Sequence, residues 1–224
     1  MDWQAIRLSV ELAAATTAVL LALGLPLAYW LARTRWRGRA IVEAIVALPI
    51  VLPPTVLGFY VLVALGPASP VGAAWERLFG QGLVFTFEGL LVASVLYSLP
   101  FAVQPFAAAF ATLDRRLEEA AWCLGAGRLA TFFKVCLPLA WPGVLTGIVL
   151  SFAHTLGEFG VVLMIGGNIP GETRTISIAI YDEVQALDYA AAGRTSAILL
   201  VFSFAVLLAT YALQRRFVQA WPVR

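Results

Sequence analysis

An all-α integral membrane protein, a polytopic bundle of five spans, is the fold class this sequence predicts, and three observations predict it. Of 224 residues, 61% are hydrophobic and 12% charged, about half the charge of an ordinary soluble domain. The apolar residues gather into five runs, 12–32, 40–65, 89–111, 139–156 and 190–213. At 1.5 Å per helical residue such runs approach or exceed the ~30 Å thickness of bilayer hydrocarbon. The stretches between them are short, so 1–224 reads as a single transmembrane domain with no room for a second.

The first run has 21 residues without a charge. A cleaved signal peptide would carry its cations before the apolar stretch, whereas Arg33, Arg35, Arg37 and Arg39 follow it, so the segment is expected to remain as the first span. The second run is broken by Leu48-Pro49-Ile50-Val51-Leu52-Pro53-Pro54-Thr55, because proline lacks an N–H and crowds the preceding turn. Such a break is either a packing kink or a turn facing a substrate path. Residues 66–88 read as an interfacial loop with Trp75, Phe79, Phe85 and Phe87 at headgroup level. The third run contains Pro100 and Pro105 and the polar residues Ser94, Tyr97, Ser98 and Gln104, which need partners on neighbouring helices. The fourth is expected to carry Pro142 in its first turn. After Gly157-Glu158-Phe159-Gly160, the apolar residues 161–165 are too few to cross and read as a re-entrant or interfacial piece. Residues 166–189 read as the longest polar loop, with a turn at Asn168-Ile169-Pro170-Gly171. The fifth run ends before Arg215 and Arg216.

Charge placement orients the bundle. The loop holding Arg33 to Arg39, the stretch 112–138 and the tail together carry eleven of the fifteen Lys and Arg residues. The positive-inside rule then puts these, and the C-terminus, in the cytoplasm, and an odd number of spans leaves the N-terminus outside. Cations scattered in such small groups do not form a nucleic-acid surface. Cys123 and Cys136 lack metal-site spacing and lie far from the one histidine, so they read as packing residues. No metal site, catalytic residue or cofactor is expected in this chain.

Residues 112–138 are a part-polar island. Asp114 is placed to cap a short helix, and Leu117, Ala120, Ala121 and Leu124 recur at helical spacing on one apolar face that Gly125 ends. On these residues alone, a membrane-surface helix and a docking helix are equally supported. The pattern Glu119-Ala120-Ala121, three residues, Gly125, nine residues, Val135-x-Leu137-Pro138 resembles the EAA loop of bacterial ABC importer permeases, with Val135 where the family usually has Ile. The resemblance implies that Leu117, Glu118, Glu119, Ala120, Ala121, Leu124, Gly125, Ala126, Leu137 and Pro138 form a cytoplasmic coupling loop, between spans three and four, that docks on an ATPase. ATP and Mg would then sit on that separate subunit, since the only lysine, Lys134, follows no phosphate-binding glycine loop.

Further motifs, Leu52-Pro53-Pro54-Thr55-Val56-Leu57-Gly58, Leu156-Gly157-Glu158-Phe159-Gly160 and Asn168 through Ile176, look like the bacterial molybdate permeases, type I ABC importer subunits, over nearly the whole chain. Some members of that family have an additional N-terminal span for which this chain has no room. The resemblance implies a multi-pass protein of the bacterial inner membrane, paired as a homodimer with two ATP-binding cassette subunits and a periplasmic oxyanion-binding protein. It implies import of molybdate, with tungstate as a further substrate. Sulfate or thiosulfate permeases are close relatives, and a secondary carrier is the alternative of a different class.

No charge is expected at the helix centres, because Glu11, Glu43, Glu88, Glu158 and Arg194 are assigned to span ends. That disfavours a proton-coupled carrier. Thr55, Tyr97, Ser98, Ser151, His154 and Thr155 are the candidate path, offering weak, uncharged hydrogen bonds; His154 is expected to serve mainly as a structural hydrogen-bonding group. Asn168, Pro170, Gly171, Glu172 and Arg174 are the candidate contacts for the binding protein.

Overall fold

The computed structural model describes residues 2–220, with side chains to residue 212; Arg215 and Arg216 lie outside the described side chains. Regular structure among the described residues is helical throughout. Helix α1 (Trp3–Arg33) begins earlier than the first apolar run. Asp2 caps it by accepting from the Ala5 N–H at 3.0 Å, and Arg7 pairs with Glu11 one turn on at 2.7 Å. Its 31 residues make a rod about 46 Å long.

The second run is not one crossing helix. Helices α2 (Arg39–Val51) and α3 (Pro54–Leu65) meet at 114°. Leu52 and Pro53, each followed by proline, are forced into extended backbone with ψ of 136°. Two short apolar helices joined this way make a broken span or a re-entrant loop. The expected loop 66–88 contains α4 (Pro70–Phe79), started by Ser69, which accepts from the Gly72 N–H at 2.9 Å, and by Pro70 in its first turn.

Helix α5 (Phe87–Ala111), capped by Thr86, keeps both its prolines inside one continuous helix. Helices α6 (Arg115–Cys123) and α7 (Arg128–Thr131) follow, then a π-helical turn, Phe132–Cys136, and α8 (Leu137–Leu156). The π turn lies just before Pro138, whose ring disturbs the ladder one turn back. The fourth span therefore extends over Arg128–Leu156, and Pro142 sits inside it rather than in its first turn. Short α9 (Gly160–Gly166) buries Val161, Val162, Ile165 and Gly166. The expected polar loop contains α10 (Ile176–Gln185), and α11 (Tyr189–Ala220) ends the described chain.

Helix α5 is the centre of the bundle, with α1 and α8 packed along it. Leu20 and Ala28 of α1, Val103, Phe106 and Phe110 of α5, and Val144 of α8 are fully enclosed together. Small residues set the α5–α8 distance. A Cβ on Gly147 would stand 2.4 Å from the Phe106 ring and 2.8 Å from the Ala102 carbonyl, and one on Gly143 2.4 Å from the Ala109 Cβ. Without a hydrophobic driving force between helices in lipid, such close backbone approach supplies the dispersion contact that holds the pair. Among the described residues four helices are long and apolar enough to cross a bilayer, and the α2–α3 pair makes a fifth crossing if it counts as one span.

Candidate functional site

Three groups of predicted residues are placed by this frame, the first at the Arg33 end of α1. Asp114 starts α6 by accepting from the Arg116 N–H at 2.9 Å. Gly125 stops it with φ of +84°, while Ala126 N–H reaches the Ala121 carbonyl at 3.0 Å and Gly125 N–H the Trp122 carbonyl at 2.9 Å. This double closure satisfies the last helical carbonyls and requires a left-handed residue at position 125. Leu117, Glu119, Ala120 and Leu124 are exposed, Leu124 at 89%, and Ala121 and Ala126 are partly covered. Beyond the turn, Leu137 is partly covered and Pro138 exposed. The apolar face of α6 thus points away from the bundle, as a docking surface requires.

Glu118 points the other way. Its carboxylate is ion-paired with the Arg33 guanidinium at 2.5 Å and accepts from the Tyr29 hydroxyl at 2.9 Å. Arg33 also donates to the Leu113 carbonyl at 3.2 Å, and Arg115 donates to the Arg33 carbonyl at 3.1 Å. Tyr29 in turn packs edge-on against Phe110 and Phe132. The apolar pattern of α6 marks its outward face, but nothing in it singles out Glu118.

The second group lies at a cleft of about 470 Å³ where the α2–α3 break meets α5, α8 and α9. Thr55, Tyr97 and His154 line it together with Glu158 and Met164. Ser98 and Thr155 sit behind this surface, both buried: the Ser98 Oγ lies 3.0 Å from His154 Nδ1 and 2.8 Å from Thr155 Oγ1. The His154 ring stacks on Phe101 with centroids 3.9 Å apart. His154 is thus held within the protein by a hydrogen bond and a ring stack. Ser151 is separate, its hydroxyl donating to the Ile148 carbonyl at 3.0 Å.

Glu158 departs from the expectation of an uneventful span-end charge. It is 4% exposed, and among the described residues no cation pairs with its carboxyl group, which the buried Ser94 hydroxyl faces. Glu158 was legible only as a charge beside glycines; its enclosure arises because α9 folds back against α3, so closely that a Cβ on Gly58 would meet the Met164 side chain at 2.8 Å.

The third group lies at the Asp2 end of α1. Arg174 donates to the Asn168 side-chain oxygen at 2.6 Å and faces Asp182 at 3.3 Å and Asp2 at 3.8 Å. Asn168 donates to Asp182 at 2.6 Å. These two residues therefore brace the loop internally, while Pro170, Gly171 and Glu172 form its exposed tip.

The chain matches the family described as "Binding-protein-dependent transport system inner membrane component" over residues 24–221. The chain belongs to this family. Among its relatives, the "Molybdenum transport system permease protein ModB" of Azotobacter vinelandii is 55% identical, covering 96% of this chain and 95% of that protein. The protein of the same name from Escherichia coli strain K12 is 39% identical over 82% of this chain and 80% of its own length. The E. coli strain K12 "Sulfate transport system permease protein CysT" is 37% identical over 87% of this chain and 70% of that one. In fold, the chain resembles a solved bacterial alginate ABC transporter bound to a pentasaccharide-loaded periplasmic protein, with TM-score 0.77 and 20% identity, covering 96% of this chain and 78% of that one. It also resembles the MetNI methionine ABC transporter in an inward-facing form, with TM-score 0.74 and 16% identity, covering 96% and 95%. At those identities the structural likeness speaks to the fold alone. As an inner-membrane component of this family, the chain is a multi-pass membrane protein, and its relatives are transport permeases by name.

Proposed function

We propose that this chain is the permease subunit of an ABC importer that carries molybdate into the bacterial cytoplasm. The observation that carries this reading is the match, over almost the full length of both chains, to the A. vinelandii molybdenum permease. Two copies enclose the path, two ATPase subunits bind and hydrolyse Mg-ATP, and a periplasmic protein delivers the oxyanion. The positive-inside rule places α6 and the C-terminus on the cytoplasmic side. In this orientation the exposed apolar face of α6 meets the ATPase and the Pro170–Glu172 tip meets the binding protein.

The cleft supports passage of an oxyanion rather than its capture. Thr55 and Tyr97 offer neutral hydroxyl donors at its surface, so an anion can be handed on without the deep well a fixed cation would create. A buried carboxylate without a cation is strongly disfavoured as the ion. An ionised Glu158 about 5 Å from a dianion would add repulsion of about 7 kcal/mol at an effective dielectric of about 20. Glu158 therefore acts as a neutral acid while the anion passes.

The test is radiolabelled molybdate uptake in a bacterium lacking its own high-affinity molybdate permease and supplied with the cognate ATPase and binding protein. Uptake at submicromolar molybdate is expected only when this chain is present. Its absence from cells in which the chain reaches the membrane with its partners would overturn the assignment.

A further inference from the structure

The coupling-loop reading leaves open what holds α6 at a fixed angle to the spans. Its close backbone neighbours are α7 and the π turn, and α7 is a single turn of four residues. A nine-residue helix exposing Leu117, Trp122 and Leu124 would swivel under load unless something ties it to a long element. The tie is Glu118, whose side chain is 7% exposed and turned toward the end of α1. It meets Arg33, the last residue of the α1 rod, and Tyr29 one turn earlier. The same guanidinium holds the Leu113 carbonyl, in the link between α5 and α6, and Arg115 at the start of α6 returns to the Arg33 carbonyl. Four contacts thus join the end of α1 to the α5–α6 link and the first turn of α6.

We propose that Glu118 is a positioning residue that clamps the coupling helix to α1, so that displacement of α6 by the ATPase moves the transmembrane bundle rather than the helix alone. An ion pair suits this task because the carboxylate is held from two sides, by the Arg33 guanidinium on one oxygen and the Tyr29 hydroxyl on the other, which fixes its direction as well as its distance. Glu119, the neighbouring acid, is exposed and remains available to a partner. The inference rests on the reading of α6 as the ATPase-docking helix, and its test separates the two.

The experiment compares wild type with Glu118→Gln and with the double variant Arg33→Met/Glu118→Met. The double variant removes both buried charges and so avoids stranding either one. A nitroxide on Cys123, exposed at the end of α6, reports the helix in the permease alone; the other cysteine, Cys136, is buried and is replaced by Ala in this arm. The clamp predicts a constrained spectrum in wild type and a mobile one in the double variant. In proteoliposomes with the ATPase and binding protein, molybdate imported per ATP hydrolysed is expected to fall about tenfold in the double variant, inside the usual range of coupling between sites. A double variant that is well folded, keeps the constrained spectrum and imports with wild-type stoichiometry would overturn the clamp. Failure of the wild-type assembly itself to bind the ATPase would instead overturn the docking assignment of α6.

Discussion

Glu118 and Glu158 are both buried acids, and the difference between them is the cation. Glu118 has Arg33 at 2.5 Å, so truncation to Ala strands a guanidinium and is expected to destabilise the protein by about 3–5 kcal/mol. Thermal unfolding in detergent measures this directly. Among the described residues Glu158 has no cation beside it and is faced by the neutral Ser94 hydroxyl, so Glu158→Gln replaces one neutral group with another and is expected to retain both the midpoint and molybdate uptake. A folded Glu158→Gln variant that no longer transports would contradict the neutral-acid reading. His154→Gln keeps a polar group facing Ser98 but loses the stack on Phe101, at about 0.5–1.5 kcal/mol. Uptake by that variant is expected to match wild type between about pH 6 and pH 8, the range in which an unperturbed imidazole changes charge. The surroundings of the two acids were not legible in the sequence, because the partners are remote: Tyr29 stands 89 positions from Glu118.

Elements whose causes are local were read more fully. Asp114 and Gly125 bracket α6 as their types imply, since capping and left-handed termination depend on adjacent residues. At Gly125 a Cβ would meet nothing within 4 Å, so substitution there is opposed by backbone conformation alone. Gly125→Ala should cost about 1–2 kcal/mol of local closure and Gly125→Val more. Loss of ATP-to-uptake coupling without loss of membrane insertion is the expected phenotype, read by comparing hydrolysis with import; Ala121→Asp, on the covered edge of the docking face, should do the same. Normal coupling in both would remove the docking role from α6. The bend between α2 and α3 shows the limit of local reading. The prolines announced a break, but the 114° turn depends on α9 packing against α3, a tertiary contact with no sequence signal of its own. Helices α4 and α10 were hidden for a different reason: their polar residues and flanking turns look like loop at the scale of a membrane span.

The whole bundle depends on how closely α5 and α8 approach. Gly147 stands where any side chain would enter the Phe106 ring, so Gly147→Leu is expected to overpack the crossing by about 1–3 kcal/mol, measured as a lowered unfolding midpoint and reduced yield of folded protein. The α1 rod joins the two ends of this frame. Its Asp2 end reaches Arg174 in the 168–174 loop, and its Arg33 end reaches α6. Composition and run length were enough to announce a helical membrane bundle, since both report the solvent directly. Substrate class is different, because the neutral cleft by itself does not distinguish one tetrahedral oxyanion from another. The most direct measurement is therefore ATP-driven uptake in proteoliposomes holding this chain, its ATPase and its binding protein, with molybdate and sulfate in competition. Vanadate-sensitive molybdate import that excess sulfate leaves largely intact is the predicted result; sulfate import that molybdate fails to displace, or molybdate import without ATP, would contradict the account.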